Sequence, residues 1–102
     1  MNVDAEMKRV LKTILFVDDE KEARRIFNEV LSDMEYNVID KLDGLSVLSI
    51  VRLGVHIDLV IIDYRMPDMN GLDLVTTLQK ILPSIPVIMM TAYGDIANTS
   101  VP

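Results

Sequence analysis

Four short runs of strand-forming residues, TILFV (13–17), NVID (37–40), LVII (59–62) and VIMM (87–90), recur along the chain. Between them the apolar residues change from solid blocks to steps of three and four. Ala23, Ile26, Phe27, Val30, Leu31 and Met34 form one such stripe, with Glu22, Arg25, Glu29 and Asp33 on its wet side, and the spacing predicts an amphipathic helix. Asp43-Gly44 opens a weaker helix that runs through Val51 and that Gly54 can terminate. Leu72, Val75, Leu78 and Leu82 mark a third helix stopped by Pro83, and Gly94-Asp95 begins a fourth. Strict alternation of strand and helix leaves little choice of architecture. It predicts an α/β fold, a doubly wound parallel sheet with helices on both faces, which in a flavodoxin-like order would place these four strands as 2-1-3-4.

At 102 residues the chain is long enough for one domain with a core and too short for two. Residues 1–12, with Val3, Met7, Val10 and Leu11 at helix-like spacing, read as an N-terminal tail or helical turn, and residues 13–102 as the domain. A net charge of −6 disfavours gripping nucleic acid, which needs a basic surface, and fits a basic partner or a bound cation. The absence of cysteine excludes disulfides and thiolate metal sites. No apolar run approaches the length of a membrane span, and MNVDAEMKRVLK lacks the apolar middle of a signal peptide, so the expected location is the cytoplasm.

Three of the strand runs end on chemistry: ILFV runs into Asp18-Asp19-Glu20, LVII into Asp63 and VIMM into Thr91. In open parallel sheets ligands bind beyond the carboxyl ends of the strands, where the strand order reverses. With the first and third strands as neighbours, Asp18, Asp19 and Asp63 meet in one crevice. Three carboxylates there repel one another, and without a cation at least one pKa rises. A small hard divalent ion relieves the repulsion. Mg²⁺ prefers oxygen ligands, keeps several waters and typically takes one or two carboxylates together with phosphate oxygens. The set therefore suits phosphoryl transfer, with Asp63 as nucleophile, Asp18 and Asp19 on the metal, and Thr91 as a hydroxyl donor to the phosphoryl oxygens. Taken singly, each piece has a plainer reading: Asp18 or Asp19 as a helix cap, Asp63 as the opening of a turn, Thr91 as a strand residue.

The segments FVDDE (16–20), IIDYRMPDMNGLDL (61–74) and PVIMMTAYGD (86–95) resemble, in order and at compatible spacing, the signature segments of the receiver domain of two-component response regulators. TAYGDI looks most like receivers that precede ATP-hydrolysing transcription activators. The resemblance implies that Asp63 accepts a phosphoryl group from a histidine of a sensor kinase. It further implies that Mg²⁺ is held by Asp18, Asp19, Asp63 and the backbone carbonyl of Arg65. By the same resemblance Thr91 moves toward the phosphoryl group, Ala92 leaves access to Asp63, and Pro67 and Gly71 shape the loop at the pocket. The module implied is a switch rather than an enzyme, assisting only its own phosphorylation and dephosphorylation. Its implied partners are a sensor histidine kinase and a downstream output domain or protein, with no direct nucleic-acid contact by this domain and no membrane.

Family members continue through a fifth strand, with a lysine that contacts the phosphoryl group and an aromatic switch residue, and then a fifth helix. This sequence reaches neither, and Lys80 falls in the third helix. The domain is therefore expected to be C-terminally incomplete. Val87 to Met90 would then be an uncovered edge that invites pairing into a homodimer or exchanged assembly.

Rival readings stay open at this level. One is a truncated or degenerate receiver that acts only through protein contacts. Another is a Mg²⁺-dependent aspartyl phosphohydrolase, although such enzymes place a second acid two residues after the nucleophile, where this chain has Arg65. A nucleotide or flavin binder would show glycines after the first strand in place of Asp18-Asp19-Glu20. His56 reads as a loop histidine, and the seven methionines read as core filling. Arg24-Arg25 reads as a solvated face, one that the resemblance sets beside the kinase docking surface.

Overall fold

Strands β1 (Thr13–Val17), β2 (Asn37–Lys41), β3 (Leu59–Asp63) and β4 (Val87–Met90) pair in parallel, in the order β2-β1-β3-β4, in a computed structural model that describes residues 11–90. Helices α1 (Lys21–Asp33), α2 (Gly44–Arg52) and α3 (Gly71–Ile81) make the three crossovers. This is the expected doubly wound sheet. Thr91, Ala92, the helix expected from Gly94-Asp95 and the first ten residues of the expected tail lie outside the described residues. No described helix is long and apolar enough to cross a membrane.

The solid apolar runs exist because the two central strands are buried on both faces. Alternate side chains of β1 and β3 enter different cores. Leu15, Val17, Val60 and Ile62 join Val47, Leu48 and Val51 of α2 and Leu74 and Leu78 of α3. Ile14, Phe16 and Ile61 face the other way, where Ala23, Phe27 and Leu31 of α1 pack on them. Phe16 and Phe27 stack with ring centroids 4.5 Å apart and planes 19° from parallel, a favoured offset for aromatic pairs.

Two helical stripes differ from expectation in detail. Ala23, Phe27 and Leu31 face the sheet, whereas Ile26, Val30 and Met34 are 44%, 49% and 59% exposed. They form the neighbouring stripe, one residue earlier in each turn, and a single helix lying on a flat sheet buries only the stripe beneath it. In α3 the inward residue is Leu74, fully buried, while Leu72 is 55% exposed. Leu72 falls in the first turn on the solvent side, and the buried steps of three and four run from Gly71 through Leu74 to Leu78.

Local signals set the ends of the helices. Asp43 caps α2 by accepting the Ser46 N–H at 2.9 Å, and Asn70 caps α3 by accepting the Asp73 N–H at 2.8 Å. Gly54, just past α2, has φ of +85°, the left-handed conformation in which glycine ends helices without strain. His56 lies in the loop before β3 with an exposed ring, its Nε2 2.9 Å from Oδ1 of Asp58. Asp58 in turn accepts the N–H of Thr13 through Oδ2 at 2.8 Å.

Candidate functional site

The register of β1 against β3 builds the site. Val17 pairs with Ile62, so the next residues, Asp18 and Asp63, stand side by side at the carboxyl ends of β1 and β3. Each of Asp18, Asp19 and Asp63 offers a carboxylate oxygen, and these oxygens lie within 4.8 Å of one another. Asp18 is buried, Asp63 half-buried and Asp19 exposed. The crevice expected from strand order is therefore present, at the carboxyl ends of the strands.

Asp18 is held from several sides. Its N–H donates to the carbonyl of Lys41 at 3.0 Å, extending the β1–β2 ladder by one bond. Its Oδ1 accepts the N–H of Glu20 at 2.9 Å, and its carbonyl accepts Nη1 of Arg24 at 2.9 Å. Glu20 occupies the N-cap of α1 without a side-chain cap bond. The plainer reading of these acids as caps of α1 holds in part: Asp18 is not the N-cap, but its Oδ1 takes the N–H of Glu20, which is.

Burial pushes the Asp63 carboxyl above the usual carboxylate range, with the charge of Asp18 next in importance and that of Asp19 adding to it. The N–H groups of Arg65 and Tyr64 pull the other way and lose. The repulsion expected from the sequence thus falls on the central acid. Hard oxygen donors, clustered and mutually repelling, are a set that a small divalent cation fits.

Beyond Asp63 the chain makes a loop to α3 that closes on itself. The N–H of Gly71 donates to the carbonyl of Tyr64 at 2.7 Å. A Cβ on Gly71 would fall 2.9 Å from Cα of Tyr64 and 3.0 Å from the carbonyl oxygen of Asp63, so only glycine permits this closure. Arg65 lies in the loop two residues past Asp63, and Lys80 sits in the last turn of α3, away from the strand ends. On the far side of β3, Asp63 pairs with Met90, and the N–H of Tyr64 donates to the Met90 carbonyl at 2.9 Å. Thr91 follows Met90 in sequence.

Sequence reasoning missed two groups around this site. Asp68, at the tip of the loop, bonds the start of α2 through both oxygens. Arg24 reaches the Asp18 carbonyl, a backbone contact that no charge pattern announces. The acid within PDMNG, a loop already marked by Pro67 and Gly71, was the available signal for the first.

Fold and site together define a doubly wound α/β domain with a cluster of three carboxylates, one that could hold a metal ion, at its β1/β3 switch point. The family model for the response regulator receiver domain matches residues 14–101, and the chain belongs to that family. It is 42% identical over 87 residues to a probable transcriptional regulator ycf27 of Cyanophora paradoxa, an alignment covering 85% of this chain but 36% of that protein. Among solved structures it is similar to the response regulator TrrA of Thermotoga maritima in complex with Mg²⁺-BeF. That match has a TM-score of 0.79 and 30% identity, over 89% of this chain and 77% of that one. The complex of TrrA with the histidine kinase ThkA also matches, at a TM-score of 0.75 and 32% identity, over 81% of this chain and 71% of that one.

Proposed function

We propose that this receiver domain is a phosphorylation-controlled switch in which Asp63 is the phosphoacceptor. The observation that carries the reading is the convergence of Asp18, Asp19 and Asp63, with carboxylate oxygens within 4.8 Å, on one crevice at the strand ends. Asp18, Asp19, Asp63 and the backbone carbonyl of Arg65 would hold Mg²⁺. When bound, the ion neutralises charge on the carboxylates and on the incoming phosphoryl oxygens.

In the transfer step an oxygen of Asp63 attacks phosphorus of a phosphohistidine. The P–O bond to Asp63 forms, the P–N bond breaks, and its electron pair leaves with the imidazole. The rigid end of β3 fixes the attacking oxygen, since Ile61 and Ile62 beside it are buried and Asp63 itself is paired in the sheet. Thr91 supplies a hydroxyl donor to the phosphoryl oxygens. The chain itself acts on no further substrate.

The phosphodonor proposed is a sensor histidine kinase, which the likeness to TrrA in complex with a kinase supports. The recipient of the switch is an output domain or protein, with the cytoplasm as the setting. A homodimer or exchanged assembly is part of the proposal. It is supported by β4, an edge strand among the described residues, whose Ile88 is 50% exposed. A single monomeric species in sedimentation would overturn that part.

The test of the main reading is intact mass after incubation with a small phosphodonor and Mg²⁺. The parent should gain the mass of one phosphoryl group and Asp63→Asn should gain none. Equal gain by both, or none by either, would remove Asp63 from the role.

A further inference from the structure

The loop between β3 and α3, residues 64–70, is anchored at two places. Its base closes through the Gly71 N–H to Tyr64 carbonyl bond at 2.7 Å. Its tip is held by α2. Oδ1 of Asp68 accepts the N–H of Gly44 at 3.0 Å, and Oδ2 accepts the N–H of Leu45 at 2.9 Å. The Met69 side chain lies directly over Gly44, where an added Cβ would come within 2.6 Å of its sulfur, and it packs against the main core. Two bonds to successive amides fix both the position and the orientation of a carboxylate, which a single bond does not.

The sharing of labour at this helix end is informative. The first turn of α2 has its N-cap in Asp43, which accepts the Ser46 N–H at 2.9 Å and, through its carbonyl, the Val47 N–H at 3.3 Å. The two earlier donors, which water would satisfy at an ordinary exposed helix start, are taken by a residue 24 and 23 positions further along the chain. The two bonds therefore tie the loop to the helix start while satisfying two of its donors. Arg65 and Pro67 lie between the two anchors, so the path of the backbone past Asp63 depends on both.

We propose that Asp68 is a positioning residue for the acidic site. By gripping the first turn of α2 it fixes the loop from which the Arg65 carbonyl completes the cation's ligands, so that α2 and the site move as one unit. The inference rests on the reading of the acidic cluster as a Mg²⁺ site. Asp68 itself contacts neither cation nor phosphoryl group.

Mg²⁺ titrations by calorimetry, with thermal melts on the same samples, test this in the parent, Asp68→Ala, Asp68→Asn and Asp43→Ala. Groups that orient metal ligands from outside typically change affinity by tens, so Asp68→Ala should weaken Mg²⁺ binding about tenfold. Asp68→Asn, which keeps one acceptor oxygen, should fall between parent and alanine variant, and decides the matter if the alanine variant does not fold. Asp43→Ala removes a cap from the same helix without touching the loop. It should lower the melting temperature and leave Mg²⁺ affinity within about twofold of the parent, well short of the loss expected at Asp68. Parent-like affinity in both Asp68 variants would overturn the inference while leaving the metal site intact. So would an equal loss in Asp43→Ala, which would make helix stability the cause. A folded parent that binds no Mg²⁺ would instead overturn the metal site, and this inference with it.

Discussion

Replacing Asp63 by asparagine should stabilise the metal-free protein. The change keeps the shape of the side chain and removes the central charge of a repulsive cluster. Unit charges 4.8 Å apart, the outer limit for these oxygens, repel by about 0.9 kcal/mol at the dielectric of water and about 3.5 kcal/mol at an effective value of 20. Asp19 is exposed, so its share lies near the lower figure, while Asp18 is buried beside a half-buried Asp63. The N–H groups of Arg65 and Tyr64, which favour the charged form, offset part of the relief. A net gain of about 1–2 kcal/mol follows, which for a domain of this size raises the melting temperature by roughly 5–15 °C.

The assay is thermal denaturation followed by circular dichroism, at neutral pH and low ionic strength with EDTA present. In Mg²⁺ the comparison should narrow or reverse. At a concentration ten times its dissociation constant the ion stabilises the parent by about 1.4 kcal/mol, and a variant with one ligand fewer gains less. Salt should also narrow the difference in EDTA, because the exposed part of the repulsion is screened. An Asp63→Asn protein that melts at or below the parent in EDTA would refute the reasoning, since it would mean that the cluster is not repulsive in the folded state.

The remaining expectations follow from single features. Because the folded-state pKa of Asp63 is raised, the folded chain binds more protons than the unfolded one just above the usual value of 3.8. The metal-free protein should therefore lose stability as pH rises through that window, and Asp63→Asn should remove this slope in pH-dependent urea melts. Asp58 runs the opposite way: the Thr13 N–H, with help from His56, lowers its pKa, so its contribution is present above 3.8 and lost as pH falls through the lowered value. Asp58→Asn should flatten the acid limb. Leu74→Ala should cost about 2–5 kcal/mol by urea titration and Leu72→Ala less than about 0.5 kcal/mol, reversing the order that the apolar stripe suggests. Gly71→Ala should destabilise by more than about 1 kcal/mol, because its new methyl meets backbone at 2.9 Å rather than a side chain able to turn aside.

The central strands were legible because burial on both faces leaves an unbroken apolar word of four or five letters, and TILFV falls on β1 to the residue; VIMM does the same on β4, an edge strand that is apolar but only partly buried. The apolar stripe of α1 is wider than the face it buries. Period alone cannot say which side of a broad apolar face lies on the sheet, and Ile26, Val30 and Met34 form the side that does not. The acids were legible for a different reason: strand order turns a separation of forty-five residues into adjacency, and Asp18 and Asp63 need only the β1–β3 register to meet. What stayed hidden were contacts made by backbone atoms. Arg24 on the carbonyl of Asp18, and Asp68 on two amides of α2, depend on loop paths that no spacing encodes.

A cluster of like charge survives here because of where it is mounted. Seven side chains of the two central strands, Ile14 to Val17 and Val60 to Ile62, are buried. At roughly 1.5–3 kcal/mol each, an upper estimate, their burial stabilises by about 10–20 kcal/mol, well above the few kcal/mol of carboxylate repulsion. The sheet therefore holds the acids together whether or not a cation is present, and the repulsion remains in the metal-free state instead of being relieved by local unfolding. Cation affinity should then be insensitive to modest loss of core stability. Val60→Ala, on the strand that carries Asp63 but three residues away, should lower the melting temperature while leaving Mg²⁺ affinity unchanged as long as the protein stays folded. A proportionate fall in affinity would show that the acids are brought together by the ion and not by the strands.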